Sequence, residues 1–312
     1  MKKLSKLIAI SLCILMMTVL FTGCSKKEQE QINFFNYGEN IDDETIKEFE
    51  KTYNIKVNME TFDDMEAMYQ KINSGAGKYD VVLVSDALMP RMIEKGLVQK
   101  LNKDNIPNIS QMDKQYLDLD IDPGNQYSVP YMFGTVGLIY NKDVVKEKVD
   151  SWDILWDEKY KDQIFMFDTY RDTIGVALKK LGYSLNSTNK DEINEAKELL
   201  LKQRKLVNPI YGVDNGTTMI PAGETNINMI WSGEGLNLQA EYPNLVYVVP
   251  KEGANFWIDS LCITSNAKNV DGAEKFINFV SDKKSALRIA DEIGYTTPNK
   301  EARLEQPKEV QD

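Results

Sequence analysis

Asn255-Phe256-Trp257-Ile258-Asp259-Ser260-Leu261-Cys262-Ile263-Thr264 sets an indole and a carboxylate two residues apart in a strand-like run. In a strand, Trp257 and Asp259 share one face. Ile258, Leu261 and Ile263 are apolar around them, so the segment reads as buried and the carboxylate as buried with it. A buried carboxylate needs a partner. No Lys or Arg is adjacent in sequence, which leaves a distant side chain, backbone donors or a bound cation, or else an Asp that caps a turn beside a core Trp.

The segments before this stretch decide what it joins. Ile32 to Tyr37 is apolar and aromatic, Asp42 to Tyr53 opens with acids and has helical spacing at Ile46, Phe49 and Tyr53, and Ile55 to Phe62 alternates again. That order is a βαβ rhythm. Met65 to Ile72 reads as a helix, Tyr79 to Val84 as a short buried strand ending at Ser85-Asp86, and Ala87 to Lys95 as the next helix. Loops at the carboxyl ends of parallel strands are where open α/β sheets bind ligands. Ser128 to Asn141 is a long extended run containing Gly134 and Gly137, which suits a strand crossing between two lobes. A second α/β set follows, with strands at Gln163 to Phe167, Asn226 to Trp231 and Leu245 to Val249 and helices at Arg171 to Leu181 and Lys190 to Lys205. Asn255 to Thr264 then reads as a second crossing, returning the helices Val270 to Val280 and Lys283 to Ile293 to the first lobe. The expected division is 32–135 plus 260–312 for one lobe and 136–259 for the other.

The N-terminus is a targeting segment. Lys2, Lys3 and Lys6 precede an uncharged apolar run from Leu7 to Phe21, and Thr22-Gly23-Cys24 follows. This pattern is a secretory signal with a small-residue cleavage site. It looks like a bacterial lipobox, so residues 1–23 are expected to be removed and Cys24 to carry the lipid. Residues 24–31 are polar after the cysteine and form a tether. The expected location is the extracytoplasmic face of a membrane, lipid-anchored, or the periplasm.

Composition narrows the functions further. With 312 residues, 42% hydrophobic and 27% charged, the chain is long enough for about two domains and ordinary for a globular protein. Its formal charge is −11, and loss of the three lysines of residues 1–23, with no acid, takes it to −14. That balance disfavours nucleic acid and anionic ligands and favours cations. Cys13 lies in the signal and Cys24 is lipidated, so Cys262 has no disulfide partner within the mature chain. There is no His, which excludes His-dependent triads and His-liganded zinc. No metal or cofactor is expected. Trp152 and Trp156, at helical spacing, read as packing residues, and Lys190 to Lys205 as a solvated helix.

Seven motifs in register then carry a resemblance: Phe35-Asn36-Tyr37, Tyr79-Asp80-Val81-Val82, Tyr127 to Thr135, Ser151 to Trp156, Met229 to Gly233, Phe256 to Leu261 and Ile293 to Asn299. From about Asn33 to Pro307 the chain resembles the spermidine/putrescine-binding proteins of bacterial ABC importers. The resemblance implies a two-lobed periplasmic-binding-protein fold closing on a polyamine, delivery to an ABC permease with its ATPase, and a monomer. It also implies roles for seven residues. Tyr37 lies near one end of the ligand, Ser85 offers a polar group, and Trp231 and Trp257 line the middle. Asp259 takes an amine, Tyr295 closes the side, and Asp172 holds the other end. Gly38, Asp86, Asp168 and Thr169 form a second rank of ligand-binding candidates.

The sequence departs from the family at several positions. Thr169 stands where a second acid can occur, with Asp168 one place earlier. Gly38 replaces a Thr, Ala87 a Tyr and Asn40 a Tyr, all around one end of the ligand. The chain stops at Asp312, where relatives continue with a segment that supplies a polar ligand contact; that contact is expected to be lost unless the chain is truncated. Other readings remain open. A sugar receptor also wants Trp faces and carboxylates, ferric iron would want His or adjacent Tyr, and a glycosidase would use two carboxylates catalytically.

Overall fold

The computed structural model describes residues 29–38 and 40–311. The signal segment 1–23 and Cys24 lie outside the described residues.

Among the described residues nine strands form one curled sheet: β1 (Glu30–Tyr37), β2 (Ile55–Phe62), β3 (Val81–Ser85), β4 (Ser128–Asn141), β5 (Ile164–Phe167), β6 (Ile210–Gly212), β7 (Ile227–Trp231), β8 (Leu245–Val248) and β9 (Phe256–Ile263). The spatial order is β2-β1-β3-β9-β4-β7-β5-β6, with β8 also paired to β4. The quoted stretch is therefore a central strand. β9 runs antiparallel to both β3 and β4, and its residues Ile258 to Ile263 are buried while Phe256 is exposed.

β4 connects two cores. Its first half pairs with β9, from Ser128 opposite Cys262 to Thr135 opposite Phe256. Its second half pairs with β7 and β8, from Val136 opposite Trp231 to Asn141 opposite Leu245. A bulge at Tyr131, where the register slips between Pro130 and Met132, bends the strand before the exchange of partners. One core holds Ile32, Phe34, Val81, Leu83, Leu261, Phe276 and Ile277. The other holds Leu138, Trp152, Phe165, Phe167, Val176, Ile227 and Met229. The helices expected to return, Val270–Val280 and Lys283–Ile293, have the expected bounds and pack on the first core.

Local chemistry explains most element ends. Asp42 caps the helix Asp43–Tyr53 by accepting from Thr45 N at 2.8 Å, and Asn54 closes it in the left-handed conformation at φ 54°. Trp152 and Trp156 sit in a short 3-10 turn rather than an α-helix, yet both pack as expected. Trp152 is fully buried and donates its indole N–H to Gly253 O at 2.9 Å. The short helices Gly216–Met219, Lys300–Arg303 and Lys308–Gln311 escape the sequence pattern, and the longest α-helix to escape it is Ser232–Glu241. Gly233 and Gly235 depress helix propensity there, and packing requires them. A Cβ at Gly233 would sit 2.6 Å from the Tyr295 ring, and one at Gly235 2.5 Å from Tyr247.

Candidate functional site

Five strands end at one place. Tyr37 closes β1, Asp63 follows β2, Ser85 and Asp86 close β3, Asp168 to Asp172 follow β5, and Trp231 closes β7 ahead of Glu234. Together with Trp257 and Asp259 of β9, these residues line a cleft of about 330 Å³. A parallel strand delivers its following loop to the same edge of the sheet as its neighbours, which is why residues distant in sequence converge.

The aromatic surfaces meet across the cleft. Trp231 stacks on Phe167, with ring centroids 4.4 Å apart, and meets Tyr37 edge-on at 6.5 Å. Trp257 meets Tyr295 edge-on at 5.1 Å. Both tryptophans pack against both cores. Glycine seats the second ring: Gly134 lies opposite Trp257 in the β4–β9 ladder, and a Cβ there would be 2.6 Å from the indole.

The carboxylates differ in how they are held. Asp259 is 6% exposed and directly opposite Ser85 in the ladder. No group among the described residues donates a hydrogen bond to it, and burial, with a smaller push from Asp86, raises its pKa to about 8. Asp172 is 7% exposed, and accepts from Thr169 Oγ1 and Asn255 Nδ2, each at 2.8 Å. Burial raises its pKa while those two donors oppose the rise. Asp86 is raised by burial to about 6 and Glu234 by burial and Asp214 to about 8. Burial and the surrounding acids also push the Tyr37 hydroxyl upward, so it stays a protonated donor.

All seven first-rank residues, Tyr37, Ser85, Asp172, Trp231, Trp257, Asp259 and Tyr295, line this cleft, as do Asp86, Asp168 and Thr169. Gly38 is not among the lining residues; it turns the chain after β1 at φ +48° and donates its N–H to Phe62 O at 2.8 Å. Glu234, Asp63, Asn255 and Arg171 line the cleft without having been singled out from sequence. Glu234 was within reach: it stands three residues after Trp231, in the first turn of the helix that follows a parallel strand. An acid there also reads as a helix-dipole partner, which hides it.

Seven of the eight lining carboxylates, Asp63, Asp64, Asp86, Asp168, Asp172, Glu234 and Asp259, form no ion pair among the described residues, and the eighth, Glu66, pairs with Arg91. Two α/β cores joined by through-running strands, with such a cleft at the strand ends, define a two-lobed solute receptor. The chain belongs to the bacterial extracellular solute-binding proteins, whose family model matches residues 44–312. It is 37% identical over 278 residues to the spermidine/putrescine-binding periplasmic protein of Salmonella typhimurium, covering 88% of this chain and 80% of the relative. Among solved structures it is similar to the spermidine/putrescine transporter substrate-binding protein PotD of Streptococcus pneumoniae, with TM-score 0.80, 35% identity, and 91% and 87% of the two chains covered. It is also similar to the TpPotD lipoprotein of Treponema pallidum, with TM-score 0.81, 26% identity and 88% of this chain and 88% of that one covered. The protein has the two-lobed fold of these relatives and an extracytoplasmic location. No helix among the described residues is long and apolar enough to cross a membrane.

Proposed function

We propose that this protein is the receptor that captures a polyamine, putrescine and/or spermidine, in the cleft and delivers it to an ABC permease and its ATPase. The observation that carries the reading is the excess of unpaired carboxylates among aromatic faces. Unpaired charge in a closing, dehydrating cleft is costly, and a ligand with an ammonium at each end removes that cost at several acids together. A neutral sugar brings hydroxyls and no compensating charge. Charge-assisted hydrogen bonds supply ~1.5–3 kcal/mol each and contacts between cations and aromatic faces ~0.5–2.

In this reading Asp259 binds an ammonium with Ser85 beside it, and Asp172 the far one, with Asp86, Asp168 and Thr169 around that end. Trp231 and Trp257 cover the methylenes, and Tyr37 and Tyr295 close the sides. Glu234 adds a carboxylate beside Tyr37 and Tyr295, on both of whose hydroxyls its charge acts. The lobes are 32–135 with 260–312, and 136–259. The protein acts as a monomer without catalysis, moored through a lipid on Cys24 and a tether shorter than the expected 24–31, because Glu30 and Gln31 already belong to β1.

Thermal-shift and calorimetric titration with putrescine, cadaverine, spermidine, spermine and simple sugars tests the ligand. A ligand at ~100 times its dissociation constant adds ~2.7 kcal/mol of stability. Stabilisation by sugars and by none of the amines would overturn the reading. Cys24→Ala should move the protein from membranes to the soluble fraction with ligand binding intact; continued membrane retention would refute the anchor.

A further inference from the structure

Among the described residues one basic side chain lines this acid-rich cleft. Arg171 is the second residue of the helix Tyr170–Lys180, beside Asp172 and three residues after Asp168. Despite those neighbours it forms no ion pair among the described residues. Its guanidinium is tethered elsewhere, donating from Nη1 to Leu185 O at 3.2 Å and from Nη2 to Asn186 Oδ1 at 2.6 Å. Both acceptors are neutral, so they hold the charge in position without cancelling it. Its field nevertheless reaches acids on both walls, lowering Asp86 of the β3 end and Asp172 of its own helix against the effect of burial.

A fixed cation beside these acids competes with a ligand cation for the same attraction. We propose that Arg171 is a specificity-determining residue that stands in for one ligand ammonium at the Asp86–Asp172 end, so that the cleft favours a diamine over a triamine. The inference rests on the polyamine reading of the cleft. A diamine satisfies Asp259 and one far carboxylate, leaving Arg171 to offset the remaining acids. A third ammonium entering that end meets both the acids and a like charge held by Asn186 and the Leu185 carbonyl. Arg171 needs no contact with the ligand to do this, because the interaction is Coulombic and acts at a distance in a low-dielectric cleft.

The test is calorimetric titration of the full chain and its variants with putrescine and with spermidine, read as the ratio of the two dissociation constants. Arg171→Gln should shift the ratio toward spermidine on the order of tenfold, the scale of one unit charge acting across a partly dehydrated cleft. Arg171→Met removes the charge while keeping the aliphatic stem, and serves if the Gln variant folds poorly. Arg171→Lys should leave the ratio near that of wild type. Asn186→Ala, which loosens the tether and leaves the charge, should also change it little. An unchanged ratio in both charge-free variants would overturn the proposal. So would an equal shift in Asn186→Ala, which would assign the effect to the 185–186 loop. If wild-type protein binds neither amine, the polyamine reading itself fails; if it binds both and only the ratio stays fixed, Arg171 alone is wrong.

Discussion

Asp259 and Asp172 are equally buried carboxylates in one cleft, yet the protein treats them in opposite ways. Asp172 lies in the first turn of the helix Tyr170–Lys180, where Thr169, the residue before the helix, donates to it, and Asn255 donates from the strand side. It is oriented before any ligand arrives. Asp259 projects from the centre of β9, where the backbone donors are committed to the ladders with β3 and β4 and the side-chain neighbours are Ser85 and Met132. Among the described residues it has no donor, and burial raises its pKa to about 8. The contrast separates a pre-organised end of the cleft from one that the ligand must complete: bringing an ammonium to Asp259 changes its charge state, whereas at Asp172 it replaces nothing.

The largest effect that sharpens this contrast is expected from Asp259→Asn. The shape is kept and the charge removed, so polyamine affinity should fall by ~2–5 kcal/mol, the range for losing one partner of a buried pair. Folding should be unharmed or improved without ligand, measured by the urea midpoint. A variant that binds at near wild-type affinity, or one that loses stability while binding is spared, would return Asp259 to the core.

The pH dependence should be the next largest. Asp259 has a folded pKa of about 8 against an ordinary 3.8, so between those values the folded protein binds more protons than the unfolded one. Stability of the ligand-free protein should therefore be fully present below about pH 4 as far as this group is concerned, and be lost as pH rises through about 8. Glu234, raised from 4.5 to about 8, acts in the same direction. Saturating putrescine should flatten the curve, and titration near pH 7 in buffers of different ionisation heat should reveal proton release on binding. A pH-independent apo stability across that range would show Asp259 to be ionised and solvated already.

Smaller effects are expected at the pre-organised end. Thr169→Val removes one of two donors to Asp172 and should weaken binding by ~0.5–1.5 kcal/mol, the net worth of a hydrogen bond. Asn255→Ala should cost about as much. If either exceeds Asp259→Asn, the comparison is inverted and the second wall dominates recognition. Small-angle scattering supplies a coarser check: ligand that touches both walls should compact the protein, and an unchanged radius of gyration would argue against closure.

Much of this was legible in the chain because the relevant patterns are local. The alternation of Ile55 to Phe62 and the long extended run of Ser128 to Asn141 placed β2 and β4 at their observed limits, and the helices Val270–Val280 and Lys283–Ile293 have their expected bounds. Trp257 and Asp259 on one face of a strand follow from the two-residue period alone. The helix after Trp231 was hidden because its glycines answer to Tyr295 and Tyr247, rings brought there from 62 and 12 residues away in the chain by the fold. Local propensity records their cost and not their purpose.

The sequence by itself determined which residue types were available: an acidic chain without His, and carboxylates and aromatics placed just after strands. Only the tertiary structure decided how each carboxylate is held. Asn255 and Asp172 are 83 residues apart, and their hydrogen bond exists because the fold brings the residue just before β9 to the first turn of the helix that follows β5. Arg171 sits beside two acids in sequence and pairs with neither, because the 185–186 loop offers its guanidinium better-placed acceptors. Charge is a property of the residue, but its partner is set by the three-dimensional packing that decides which groups can reach it.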